Sequence, residues 1–201
     1  MLAYPDWKNS GFGIYLHWPY CESKCQYCDF NSYVEKNVAW HEWEISFLSQ
    51  LGFYYQETGD RRVNSIFFGG GTPSLMKPKL VSNIINHISK LWGFEDTVEI
   101  TLEANPSSVE AKKFAEFKAA GVNRVSIGVQ ALNNKDLKKL GRLHSVYDAL
   151  NAITIGKDTF DKVSFDLIYA RQDQKLQDWE LELKKALSLE PDHLSLYQLT
   201  I

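Results

Sequence analysis

Short apolar runs alternate along the chain with longer amphipathic stretches. Gly13–Trp18 (GIYLHW), Val63–Phe68 (VNSIFF), Val98–Leu102 (VEITL), Arg124–Val129 (RVSIGV), Val163–Ile168 (VSFDLI) and His193–Leu199 (HLSLYQL) read as six β-strands. Helical spacing fills the intervals. Trp40, Trp43, Phe47, Leu48 and Leu51 share one face, as do Val81, Ile84, Ile85 and Ile88 behind Pro78. Ser107 with Glu110 has the form of a capping box, and Gly121 is a natural terminator for the helix it opens. Val146, Ala149, Leu150 and Ile153 make a fourth stripe, opened by Ser145 and closed near Gly156. Trp179, Leu183, Ala186 and Leu187 make a fifth.

Strands alternating with helices predict parallel βαβ units. A closed eight-unit barrel takes about 250 residues, more than the 201 present. The expected architecture is therefore α/β, an open partial (β/α)6 barrel with parallel strands. Residues 1–12 read as an N-terminal extension and 13–201 as the core. The sixth strand runs to the end of the chain without a covering helix, an edge that invites non-specific pairing. The expectation is a C-terminally truncated chain, with a further domain missing.

Composition narrows the class. Hydrophobic residues are 44% and charged residues 23%, ordinary values for a globular domain. No apolar run approaches the ~20 residues that span a bilayer, and the first residues, with Asp6, Trp7 and Lys8, do not form a secretory signal. Net charge is -3, and basic residues cluster no further than pairs such as Lys112-Lys113. Nucleic acid is not an expected partner. The chain reads as cytoplasmic.

The three cysteines, Cys21, Cys25 and Cys28, lie within eight residues. An odd and tightly clustered set is a poor disulfide framework. C-x3-C-x2-C on one loop can supply three thiolates to a [4Fe-4S] cluster and leave the fourth iron open. The competing reading is zinc, which needs a fourth protein ligand in a structural site. His17 or His41 would serve, although the cysteine spacing is unusual for zinc. The cluster is favoured.

The motif, with the aromatic Tyr27 before its third cysteine, resembles the radical S-adenosylmethionine (SAM) superfamily. Tyr15-x-His17-Trp18-Pro19, Cys28-Asp29-Phe30-Asn31-Ser32 and Phe68-Gly69-Gly70-Gly71-Thr72-Pro73-Ser74 are similar to the oxygen-independent coproporphyrinogen III oxidase (HemN-like) family, and most to its HemW haem-chaperone branch. The resemblance implies that the open iron chelates SAM and that reduction cleaves the sulfonium to a deoxyadenosyl radical. It implies that Cys21, Cys25 and Cys28 bind the cluster, and that Tyr15, Tyr27, Gly70, Gly71, Thr72, Glu103, Gln130, Arg142 and Asp166 bind SAM.

Some of these roles also have a physical rationale. Three successive glycines allow backbone to approach a ligand with free N–H groups aimed at it. The resemblance puts Glu103 on the SAM ribose, a role that suits a carboxylate, and Arg142 on a SAM carboxylate, where its planar fork is useful. Asp166 interrupts an apolar strand and needs a ligand or an arginine partner. The cysteines, the glycines, Glu103 and Gln130 all fall at or just after carboxyl ends of predicted strands, the edge where α/β folds bind ligands. His144 reads equally well as a helix-start residue.

Two departures from the family pattern bear on function. The oxidases proper carry a fourth cysteine two residues after the third, where this chain has Phe30. Family members often show a Gly-Leu-Pro-Gly turn after strand five, where it has Ala170-Arg171-Gln172-Asp173. The expected function is a haem chaperone that binds SAM and haem and delivers haem to respiratory apoproteins, with a membrane-associated acceptor among them. The alternative is the oxidase, which decarboxylates a porphyrinogen.

Overall fold

The computed structural model describes residues 10–200. The expectations for residues 1–9 and for Ile201 lie outside the described residues. Six parallel strands form one sheet, ordered β1 (Phe12–Trp18), β4 (Val63–Gly70), β5 (Phe94–Ala104), β6 (Arg124–Gln130), β7 (Lys162–Tyr169) and β8 (His193–Gln198). β1 and β8 are its edges, so the sheet is open as expected. A separate parallel pair, β2 (Tyr20–Cys21) with β3 (Tyr33–Val34), was not legible in the sequence.

The helices are α1 (Trp40–Thr58), α2 (Pro78–Trp92), α3 (Ser108–Ala111), α4 (Phe114–Ala119), α5 (Asn134–Lys139), α6 (Val146–Thr159) and α7 (Leu176–Leu187). α1 packs on α2, α2 on α4 and α4 on α6. None of the described helices is long and apolar enough to cross a membrane. α2 buries Leu80, Val81, Ile84, Ile85, Ile88 and Trp92. Against it stand Ile66, Phe68, Ile100 and Leu102 of the central strands, and this joint burial supplies most of the driving force for folding.

Several element boundaries differ from the expected ones, each for a local reason. The helix opened by Ser107 breaks at Lys112–Lys113 into α3 and α4. The Ser107 hydroxyl does accept from the Glu110 amide at 3.3 Å, but the Glu110 carboxyl turns inward to the Ser74 hydroxyl. α6 runs past Gly156 to Thr159. Gly156 is a contact point, since a Cβ there would sit 3.4 Å from Ile127 Cδ1 and 3.5 Å from Val163. On α7 the predicted stripe loses Leu187, which is exposed, while Glu182 is buried. Glu182 and Asp136 clasp the buried Arg171. The atypical Ala170–Asp173 turn is thus held by an internal ion network that also anchors α5.

Candidate cofactor site

β1 delivers the chain to the cysteine segment, and the β2–β3 pair pinches that segment at its base. The Tyr33 amide donates to Pro19 O at 2.7 Å. Within the loop, Lys24 Nζ donates to the carbonyls of Phe30 and Ser32, each at 3.0 Å, and His17 Nε2 bonds Asn31 O at 2.8 Å. The backbone of a polar loop is thereby satisfied without regular structure. Cys21, Cys25 and Cys28 are free, half-buried thiols, and all three line one cavity of about 320 Å³.

The glycine segment also lines this cavity, but its amides do not point freely into it. Gly70 N donates to Glu103 Oε2 at 3.2 Å, Gly71 N to Trp18 O at 2.6 Å and Thr72 N to Tyr20 O at 2.9 Å. The expectation of free ligand-directed N–H groups is overturned. The glycines are needed because two backbones meet. A Cβ on Gly71 would lie 2.8 Å from Tyr20 O, and one on Gly70 would lie 2.8 Å from Trp18 O, with Gly70 already at φ +113°. The cysteine segment is riveted to the end of β4.

The remaining predicted residues come from three neighbouring strand ends and one loop. Glu103 near the end of β5, Gln130 at the end of β6, Asp166 in β7 and Arg142 after α5 all line the cavity, as do Tyr27, Gly70, Gly71 and Thr72. Among the described residues Asp166 forms no ion pair with an arginine, although the Arg142 charge reaches it, and a ligand is the other partner expected. The Asp166 carboxyl accepts from Ser126 Oγ at 3.4 Å and is also bonded by Ser195. Burial pushes Asp166 up to about 6, and burial together with the Asp166 charge pushes Glu103 up to about 7. Two desolvated carboxyls facing one cavity repel, and a ligand carrying hydroxyl donors or positive charge relieves both costs.

Gln130 has φ +70°, uncommon outside glycine, at a register irregularity between β6 and β7. Its Oε1 is buried and has no hydrogen-bond partner among the described residues. An orphaned acceptor beside a cavity fits a ligand that brings a donor. Arg142 is half-buried. Its Nη2 donates to Asn105 Oδ1 at 2.5 Å and Gly128 O at 2.9 Å, and its Nη1 to Cys25 Sγ at 3.6 Å. Burial pushes the Tyr27 hydroxyl up, and it sits beside Cys25 and Arg142.

Tyr15 alone of the predicted set lies outside the cavity lining. It is exposed on β1, and its hydroxyl bonds His17 Nδ1 at 3.1 Å. His17 therefore has both ring nitrogens engaged, which weakens it as a fourth zinc ligand. Among the described residues no His, Cys, Asp and Glu side chains converge in threes on a single-ion site. Thiolates on separate irons of a cluster have no need to converge so tightly, so the donor set fits a cluster better than zinc. His144 is buried, with Nε2–H donating to Val129 O at 3.1 Å, and burial with the Arg142 charge lowers it to about 4. The lowered value favours the neutral imidazole, and the side chain also lines the cavity.

Sequence reasoning missed Asn105, whose side chain links Arg142 to Thr72 Oγ1 at 3.4 Å. Its position straight after Glu103-Ala104 at a strand end was the available signal.

Comparison with known proteins fits this geometry. The chain is 40% identical over 198 residues to the mouse "Radical S-adenosyl methionine domain-containing protein 1, mitochondrial", covering 98% of this chain and 45% of that protein. It is 39% identical over 200 residues to the "Heme chaperone HemW" of Haemophilus influenzae, covering 96% and 52% respectively. The chain thus spans about half the length of these curated relatives. The structure superposes on coproporphyrinogen III oxidase (HemN) from Escherichia coli with a TM-score of 0.82 at 25% identity, covering 94% of this chain and 44% of that one. The radical SAM superfamily model matches residues 15–185, and the family implies a [4Fe-4S] cluster and SAM. The chain, related to HemW haem chaperones and to HemN, belongs to the radical SAM superfamily.

Proposed function

We propose that this chain is the cluster- and SAM-binding part of a haem chaperone of the HemW type, which binds haem and passes it to respiratory apoproteins. Cys21, Cys25 and Cys28 would hold the cluster, which when bound supplies an open iron for SAM and an electron for its sulfonium. Glu103, Gln130 and Asp166 would hold SAM through hydroxyl, amino and sulfonium groups. The observation that carries the chaperone reading is Phe30. It lines the cavity two residues after Cys28 and is exposed there. An apolar ring at that point offers no thiol for ligation or radical chemistry and gives a flat macrocycle a surface to lie against. The 39% identity to a heme chaperone supports the same assignment.

A second reading is anaerobic decarboxylation of coproporphyrinogen III, favoured by the close superposition on HemN. One pair of assays separates them. The anaerobically reconstituted chain is given haem, and separately coproporphyrinogen III with SAM and reductant. The chaperone reading expects a saturable haem absorption change and no protoporphyrinogen. Robust decarboxylation reverses the ranking, and the absence of both signals rejects both readings for this chain.

A further inference from the structure

We propose that Arg142 is a positioning residue for the cluster, donating to the Cys25 thiolate and raising the reduction potential of the [4Fe-4S] centre. The inference rests on the reading that Cys21, Cys25 and Cys28 hold the cluster. It differs from the role the family resemblance implies, a fork open to a SAM carboxylate. Three of its five N–H groups are already engaged. Both terminal nitrogens are already committed, Nη2 to Asn105 Oδ1 and Gly128 O, and Nη1 to Cys25 Sγ at 3.6 Å.

The guanidinium is also fixed from behind. The Asn105 amide N donates to Ser74 Oγ at 3.2 Å, and its side chain donates to Thr72 Oγ1 at 3.4 Å. Arg142 is thus anchored to the carboxyl ends of β5 and β6 and aimed at the cysteine loop. Among the described residues no carboxylate forms an ion pair with it, although its charge also acts on the Asp166 carboxyl. Cys25 alone of the three sulfurs receives a side-chain hydrogen bond among the described residues.

The electrostatic consequence has a definite sign. Reduction adds one negative charge to the cluster and its thiolates. A half-buried cation and an N–H donor at one thiolate stabilise that charge more than the oxidised state, so the potential rises. Partial burial of both groups lessens solvent screening of the pair.

The test is a redox titration of the anaerobically reconstituted chain without SAM, comparing the unmodified protein with Arg142→Gln and Arg142→Lys. Iron and sulfide content are measured in parallel. Arg142→Gln is expected to retain iron and to titrate lower. At a fixed potential its reduced-to-oxidised ratio should fall about tenfold, which is about 59 mV for one electron. Arg142→Lys keeps the charge without the fork and should fall between the two. A potential unchanged in Arg142→Gln overturns the inference, as does one unchanged in Arg142→Lys where only that variant assembles a cluster. Failure of the unmodified chain to take up iron overturns the cysteine assignment as well, so the two failures are distinguishable.

Discussion

The amide of Gly71 donates to the carbonyl of Trp18 across 2.6 Å. This bond joins the last residue of β1 to the turn that leaves β4, and so couples the glycine segment to the cysteine segment through backbone alone. Removing the freedom at Gly71 should therefore disturb cluster assembly as well as SAM. A Cβ there would press to 2.8 Å on Tyr20 O and 3.0 Å on Pro19 C, atoms of backbone that cannot swing aside.

Gly71→Ala is accordingly expected to destabilise the chain by about 1–3 kcal/mol, the usual cost of overpacking. Iron incorporation should fall with it. Urea unfolding and iron analysis on the same preparation check both. Normal iron with reduced SAM affinity would restore the simpler view of these glycines as a ligand cradle.

Cluster assembly should depend on every cysteine. The unmodified chain should take up ~4 irons on anaerobic reconstitution, and Cys25→Ala far fewer, because two thiolates cannot hold the centre. Equal iron in the variant sinks the assignment. Zinc in place of iron, measured in protein purified without oxygen, sinks it differently.

How far the sequence revealed this arrangement can be traced residue by residue. The six principal strands were legible because each is rich in β-formers. The central ones are largely buried, as a sheet with both faces covered requires, whereas the edge strand β8 is mostly exposed. The cysteine loop was legible because spacing along the chain is itself the constraint. The pairing of Gly71 with Trp18 was not, since backbone hydrogen bonds between distant segments leave no trace in side-chain identity. α5 was missed because its Asn133 cap, accepting from Asp136 N at 2.8 Å, introduces a short and highly charged turn with Leu137 as its buried residue. Arg142 drew notice only through resemblance. Its placement depends on hydrogen bonds to Asn105 and Gly128, which a linear reading does not bring together.

The carboxyl pair predicts a pH dependence. Glu103 is raised to about 7 and Asp166 to about 6, so the folded chain retains protons that the unfolded chain has released. Between about pH 4.5 and about pH 7 the unfolded state binds fewer protons, and stability without ligand falls as pH rises. Glu103→Gln should flatten that decline, an effect on the order of 2 kcal/mol across the window. SAM affinity should move the opposite way, rising as the carboxylates ionise and become better acceptors for hydroxyls and partners for a sulfonium. Urea midpoints at about pH 5 and about pH 8, with calorimetric titrations at the same two points, measure both slopes. A stability that rises over this range would contradict the assignment.

Gln130 offers a sharper separation of binding from folding. Its buried Oε1 lacks a partner among the described residues, so the folded chain bears a desolvation cost with no compensating bond. Replacing the amide with an apolar side chain of similar length removes that cost. Gln130→Met is therefore expected to leave the unliganded protein as stable as before, or more so, although most substitutions at partly buried sites destabilise. The left-handed backbone at φ +70° is unchanged by the substitution and does not enter the comparison. SAM, if it supplies the missing donor, loses one hydrogen bond worth about 0.5–1.5 kcal/mol, and its affinity should drop roughly three- to tenfold. The measurement is a urea titration of the unliganded variant beside a calorimetric SAM titration of the reconstituted one. A loss of stability with unchanged SAM affinity would show that the amide serves the fold, and would remove Gln130 from the binding site.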